Sequence, residues 1–313
     1  MTLNERIEKD MTELCAGIGE ISDAMALFSI MREDRIRRED NMFRFSTKGN
    51  PLHYVGNRKA KTVLVMLNPG GDWENGDRRG LEERKALHKQ THKELIGFQH
   101  KRLTSFGRSI SESPGAFDLK QAAFLKRWPE SGIEIHPTFP GTKDESIKLS
   151  VVKSVLSDKL QLELIPYCSN RFDTEFFREE NCVYRLEPIV PFLETVLHEI
   201  GQLKRKYVVF CSKVFEPLFK AYEENHPGTF TGMDSDPKES RENKRWHCRP
   251  VWIHYSDHVQ PALIAHTFPS YGLRSGGKQM VGYGRFCYSC FLSANEQMKR
   301  KQGKRRTPCA QRR

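Results

Sequence analysis

The sequence predicts a three-layer α/β/α sandwich around a central four-stranded parallel sheet, and three observations lead there. Four runs, TVLVML (62–67), LQLELIPY (160–167), KYVVFCS (206–212) and PALIAHTF (261–268), are apolar enough to be buried strands. Helix-like stretches such as LEPIVPFLETVLHEIGQLKR (186–205) alternate with them, and strands alternating with helices imply parallel pairing with helices on both faces. The first run also ends on Asn68-Pro69-Gly70-Gly71, a sharp turn at the carboxyl end of a strand, where open α/β sheets bind ligands.

Taken in order, residues 1–50 read as an N-terminal helical extension. Ile7, Met11, Leu14, Ile18, Ile21 and Met25 recur at three- and four-residue steps within a helical stretch over 4–40. Residues 51–298 form the α/β domain. Within it, residues 71–159 separate the first two strands by far more than a simple crossover needs. They hold a helical pattern (Leu81 to Phe106) and a turn-rich HPTFPGTKDES, and read as an insertion or subdomain. VWIHYS (251–256) is a candidate extra edge strand, and the polar NHPGTFTGMDSDPKESRENKR (225–245) reads as a mobile loop. Residues 299–313 read as a basic disordered tail.

Composition narrows the class. Of 313 residues, 29% are charged and 37% hydrophobic, as expected of a soluble globular protein. The opening MTLNERIEKD lacks the pattern of a secretory signal. No apolar run approaches the roughly 18–20 residues of a membrane span. A cytoplasmic protein is expected, nuclear if the source is eukaryotic, with no membrane and no obligate protein partner evident. The net charge of +11 includes eight Lys and Arg in the tail, leaving +3 for residues 1–298. A solvated tail and an electrostatic attraction to nucleic-acid phosphates both fit that charge.

The eight cysteines are scattered, which favours reduced thiols over a disulfide framework. Cys287-x-x-Cys290 with His254-x-x-x-His258 has zinc-like ligand spacing, yet RFCYSCFL fits a buried apolar element equally well. GLRSGGKQ (272–279) nearly matches a P-loop, but Gln279 replaces the hydroxyl residue and only 34 residues follow it. That excludes a P-loop NTPase. Arg274, Ser275 and Lys278 could still hold a phosphate. No G-x-S-x-G elbow or H-E-x-x-H motif points to other hydrolase chemistry.

With strands and turns placed, residues 50–290 resemble the uracil-DNA glycosylase superfamily. Leu67-Asn68-Pro69-Gly70 resembles the first motif, G-x-N-P-G in one branch, which ends the first strand. AHTFPSYGLRS (265–275) resembles the second, close to H-P-S, which ends the last strand. IPYCSNRFD (165–173) resembles the segment after the second strand in some branches. The resemblance implies a monofunctional DNA glycosylase with DNA as partner and no cofactor. The enzyme would flip out a base and hydrolyse its N-glycosidic bond, in repair or in defence against modified phage DNA.

By that resemblance Asn68 positions the attacking water and His266 donates a hydrogen bond to the leaving base. Pro69, Gly70, Trp73, Asn170 and Ser212 would surround the base. Ser270, Arg274 and Lys278 would grip phosphates, and Tyr271 or Leu273 would wedge into the vacated stack. The sequence departs from the family pattern twice. Thr267 and Phe268 separate His266 from Pro269-Ser270, and Cys211-Ser212 stand where uracil-specific members carry a base-reading asparagine. The second departure points to a modified pyrimidine in preference to uracil. The alternative is a non-catalytic nucleic-acid-binding module of the same fold.

Overall fold

The computed structural model describes residues 1–15, 21–30, 37–38, 41–42, 51–67, 116–129, 131, 133–167, 186–233, 236–255, 257–266 and 277–305. The elements run in the order α1 (Leu3–Cys15), α2 (Ser22–Ser29), β1 (Arg37–Arg38), β2 (Asn41–Met42), β3 (Tyr54–Gly56), β4 (Thr62–Met66), α3 (Ala116–Leu125), α4 (Glu145–Asp158) and β5 (Lys159–Glu163). There follow α5 (Val190–Gly201), β6 (Tyr207–Phe210), α6 (Phe215–Asn225), β7 (Phe230–Thr231), β8 (Lys238–Glu239), β9 (His247–His254), β10 (Val259–Ala265) and α7 (Gly277–Arg305).

All four apolar runs form strands, and they pair parallel in the order β5-β4-β6-β10. The sheet is larger than four strands, however. Among the described residues it has eight, in the order β3-β5-β4-β6-β10-β9-β7 with β8 also on β9, so it is mixed. Antiparallel strands flank the parallel centre: β3 on β5, and β9 on β10. VWIH of VWIHYS belongs to β9, which lies inside the sheet between β10 and the short β7 and β8. The segment read as a mobile loop supplies those two short strands.

Both faces of the parallel centre are buried, which is why its strands read as near-continuous apolar runs. Val63, Val65, Leu160, Leu162, Val208, Phe210, Ala262 and Ile264 pack in one cluster with α1, α2, α5 and α6. Leu64, Met66, Tyr207, Val209, Leu263 and Ala265 pack in the other with α3, α4 and α7. The described second half of the 71–159 segment is therefore one layer of the sandwich, and α4 runs directly into β5.

The N-terminal stretch is two helices and a small antiparallel β1-β2 ribbon, not a single helix over 4–40. Ile7, Met11 and Ile21 are buried, as the spacing predicts, but Met25 is 45% exposed while Ala24 and Leu27 are buried. The break between α1 and α2 resets the helical phase, so one continuous periodicity points the wrong residue inward. Charged groups also fix α1. Arg6 bonds Asp23, Thr195 and the Pro191 carbonyl, and its guanidinium lies 4.1 Å from the Phe192 ring centre. Buried Asp10 lies 2.9 Å from His53 Nε2 and accepts from the Tyr167 hydroxyl.

Candidate functional site

The topology itself marks a switch point. The chain leaves β4 toward α3 and α4 on one face, whereas it leaves β6 toward α6 on the other. At β4 and β6 the connections thus diverge to opposite faces, and such a switch point opens a crevice at the carboxyl ends of the strands. Met66 and Leu67 end β4 there; Cys211 and Ser212 follow β6, and His266 follows β10. Adjacent strands lie about 4.8 Å apart, so the ends of β4 and β10, separated by β6, stand roughly 10 Å apart.

His266 is held firmly at this edge. Its backbone N–H donates to the His247 carbonyl at 3.2 Å, and its Nε2 lies 2.7 Å from Glu216 Oε1 in the first turn of α6. Arg249 of β9 donates from Nε to the same oxygen at 2.5 Å and from Nη1 to the Met233 carbonyl at 2.7 Å. Burial would raise the Glu216 carboxyl, but hydrogen bonds and charge from His266 and Arg249 outweigh it and hold the pKa down at about 2. Glu216 is therefore ionised throughout the physiological range. An ionised carboxylate at Nε2 makes that nitrogen the N–H donor, leaving Nδ1 as an acceptor in the neutral ring and a donor only in the imidazolium.

Neither Glu216 nor Arg249 stands out in the sequence. The signal lay in KVFEPLF, an acid in the first turn after the third strand, but nothing in the sequence pairs it with a histidine 50 residues on.

Ser212, expected beside the base, accepts from the Val214 N–H at 3.2 Å and so helps start α6, leaving its O–H to donate elsewhere. Cys211 is buried; burial pushes its thiol well above the usual range, so it is no thiolate nucleophile. Lys278 is exposed in the first turn of α7. Asn68, Pro69, Gly70, Trp73, Asn170, Ser270, Tyr271, Leu273 and Arg274 lie outside the described residues.

The zinc-like spacing divides. Cys287 and Cys290 of α7 hydrogen-bond with Cys248 of β9, whereas His254 bonds Thr231 at the opposite end of β9. Among the described residues, no group of three or more His, Cys, Asp or Glu side chains has the geometry of a metal site. Nor is any described helix long and apolar enough to cross a membrane.

No family model matches the sequence, and no curated protein matches it either. The functional reading therefore rests on the site.

Proposed function

We propose that this chain is a DNA glycosylase of the uracil-DNA glycosylase type, acting on uracil or, by preference, a modified pyrimidine. The observation that carries the reading is the switch point. The first and last of the four parallel strands direct their carboxyl ends to one edge, and the Asn68 and His266 segments follow those two strands directly. A base extruded from a duplex needs such a crevice.

In this reading Asn68 orients the water that attacks the anomeric carbon; an amide is too weak a base to do more. His266, fixed by Glu216, faces the departing base with Nδ1. As the imidazolium it donates a hydrogen bond to the leaving base and stabilises the negative charge growing there. Glu216 fixes the orientation of the ring by accepting from Nε2. Arg249 keeps Glu216 in place and is not itself required at the base. Lys278 and the basic tail supply non-specific attraction to the phosphates.

The test is an abasic-site assay. Wild type and Asn68→Ala are incubated with uracil DNA, unmodified genomic DNA and hypermodified phage DNA, then treated with alkali. Breaks in one substrate, absent with the variant although DNA binding persists, are the expected result. No breaks in any substrate with binding intact would move the assignment to a non-catalytic nucleic-acid-binding module.

A further inference from the structure

β5 carries an unusual stripe. Leu160 and Leu162 face one apolar cluster, while Lys159, Gln161 and Glu163 alternate with them, all buried, on the face covered by α3. Lys159 Nζ donates to Gln161 Oε1 at 3.0 Å, Gln121 Nε2 of α3 donates to the same oxygen at 2.7 Å, and Gln161 Nε2 donates to Glu163 Oε1 at 2.5 Å. The chain of bonds stops there. Glu163 Oε2 is buried, and the described residues give it no hydrogen-bond partner.

An orphaned buried oxygen is costly unless something completes it, and the register indicates what. Glu163 pairs with Met66, two residues before Asn68. Cys211, whose N–H donates to the Val65 carbonyl, continues the row toward His266. Glu163, Met66 and Cys211 thus form one row of side chains at the carboxyl ends of three adjacent strands, the ends that the Asn68 and His266 segments follow.

We propose that Glu163 reads the base: its Oε2–H donates to a carbonyl oxygen of the pyrimidine held at the switch point. This rests on the glycosylase reading and deepens it by naming the specificity residue. Gln161 occupies Oε1 as a donor, so a neutral Glu163 carries its proton on Oε2, the oxygen without a partner. Burial raises the Glu163 carboxyl to about 8, against the smaller opposing effects of Gln161 and Lys159, so the donor form prevails at neutral pH. Lys159 on the same strand is brought down to about 8 by burial, with Asp118 of α3, Glu163 and Cys211 of β6 opposing. The two groups therefore titrate as a pair.

The experiment measures kcat/KM for base release from uracil and 5-hydroxymethyluracil oligonucleotides between pH 6 and 9.5. Wild type, Glu163→Gln and Glu163→Leu are compared, with thermal unfolding and affinity for an abasic-site oligonucleotide as controls. In wild type kcat/KM falls above about pH 8, because kcat/KM reports ionisation of the free enzyme. In Glu163→Gln the amide N–H replaces the O–H, and that high-pH limb disappears. Glu163→Leu loses roughly tenfold below about pH 8, where wild type holds its proton, and the gap closes above it, while abasic-site affinity is kept. Should Glu163→Leu fail to fold, the Glu163→Gln profile decides alone. A limb that persists near pH 8 in Glu163→Gln belongs to another group, Lys159 or the His266 imidazolium, and overturns the assignment, as does a Glu163→Leu enzyme with wild-type kcat/KM below that pH. Both results leave the glycosylase reading standing. Absence of base release by wild type from every substrate overturns that reading, and the Glu163 role with it.

Discussion

Replacing Glu216 by Gln tests the network that holds His266. In the folded protein the carboxyl has a pKa of about 2, against an ordinary value of 4.5. At about 1.4 kcal/mol per pH unit, the ionised group stabilises the fold by roughly 3 kcal/mol at neutral pH. Its side chain is 19% exposed, and solvent screening trims the figure toward about 2 kcal/mol. Because the folded pKa is depressed, this contribution is fully present above pH 4.5 and is lost as pH falls toward 2. The amide of Gln still accepts one hydrogen bond but brings no charge to the 10%-exposed Arg249. Urea denaturation of wild type and variant should show a gap of about 2–3 kcal/mol at pH 7, narrowing by about 1 kcal/mol at pH 3.5. A gap that does not change with pH, or one below about 0.5 kcal/mol at pH 7, would refute the electrostatic account of the site.

Three further outcomes follow from the packing. Deleting residues 1–15 removes the buried Leu3, Ile7 and Met11 together with Arg6 and Asp10; at about 2 kcal/mol per apolar side chain the loss rivals a typical total stability, so soluble expression should fail. Tyr167→Phe removes a hydrogen bond to the Asp10 carboxylate and should lower stability by about 2 kcal/mol, read as a shift in urea midpoint without a change in m-value. Gly284→Ala would set a Cβ 1.9 Å from the Phe124 carbonyl oxygen, so α7 must lift from α3; a cost of about 3 kcal/mol is expected in the same assay.

The parallel centre was legible because strands buried on both faces must be apolar throughout, as TVLVML and KYVVFCS are. Strand order was not, since β5 and β6 flank β4 through long crossovers whose placement depends on helices far away in the chain. LQLELIPY was read as a buried strand, and so it is. Yet its alternation with the preceding lysine, K-L-Q-L-E-L, is the pattern of a half-exposed strand, and only the α3 side chains waiting above explain how it can be covered. The same holds for the site. His266 stood out by its place after a strand, whereas Glu216 and Arg249 matter only through contacts made across 50 and 33 residues of chain.

The margins of the sheet have one more consequence. The outermost strands are stubs: β3 has three residues and β7 and β8 two each, the latter pair lying along the outer side of β9. Intermolecular strand addition needs a run of open N–H and C=O groups several residues long. Among the described residues, these stubs offer an incoming strand only two or three residues of ladder at a time. A sheet of such apolar strands is a hazard whenever it is exposed, and its short borders deny growing aggregates a template while the protein stays folded.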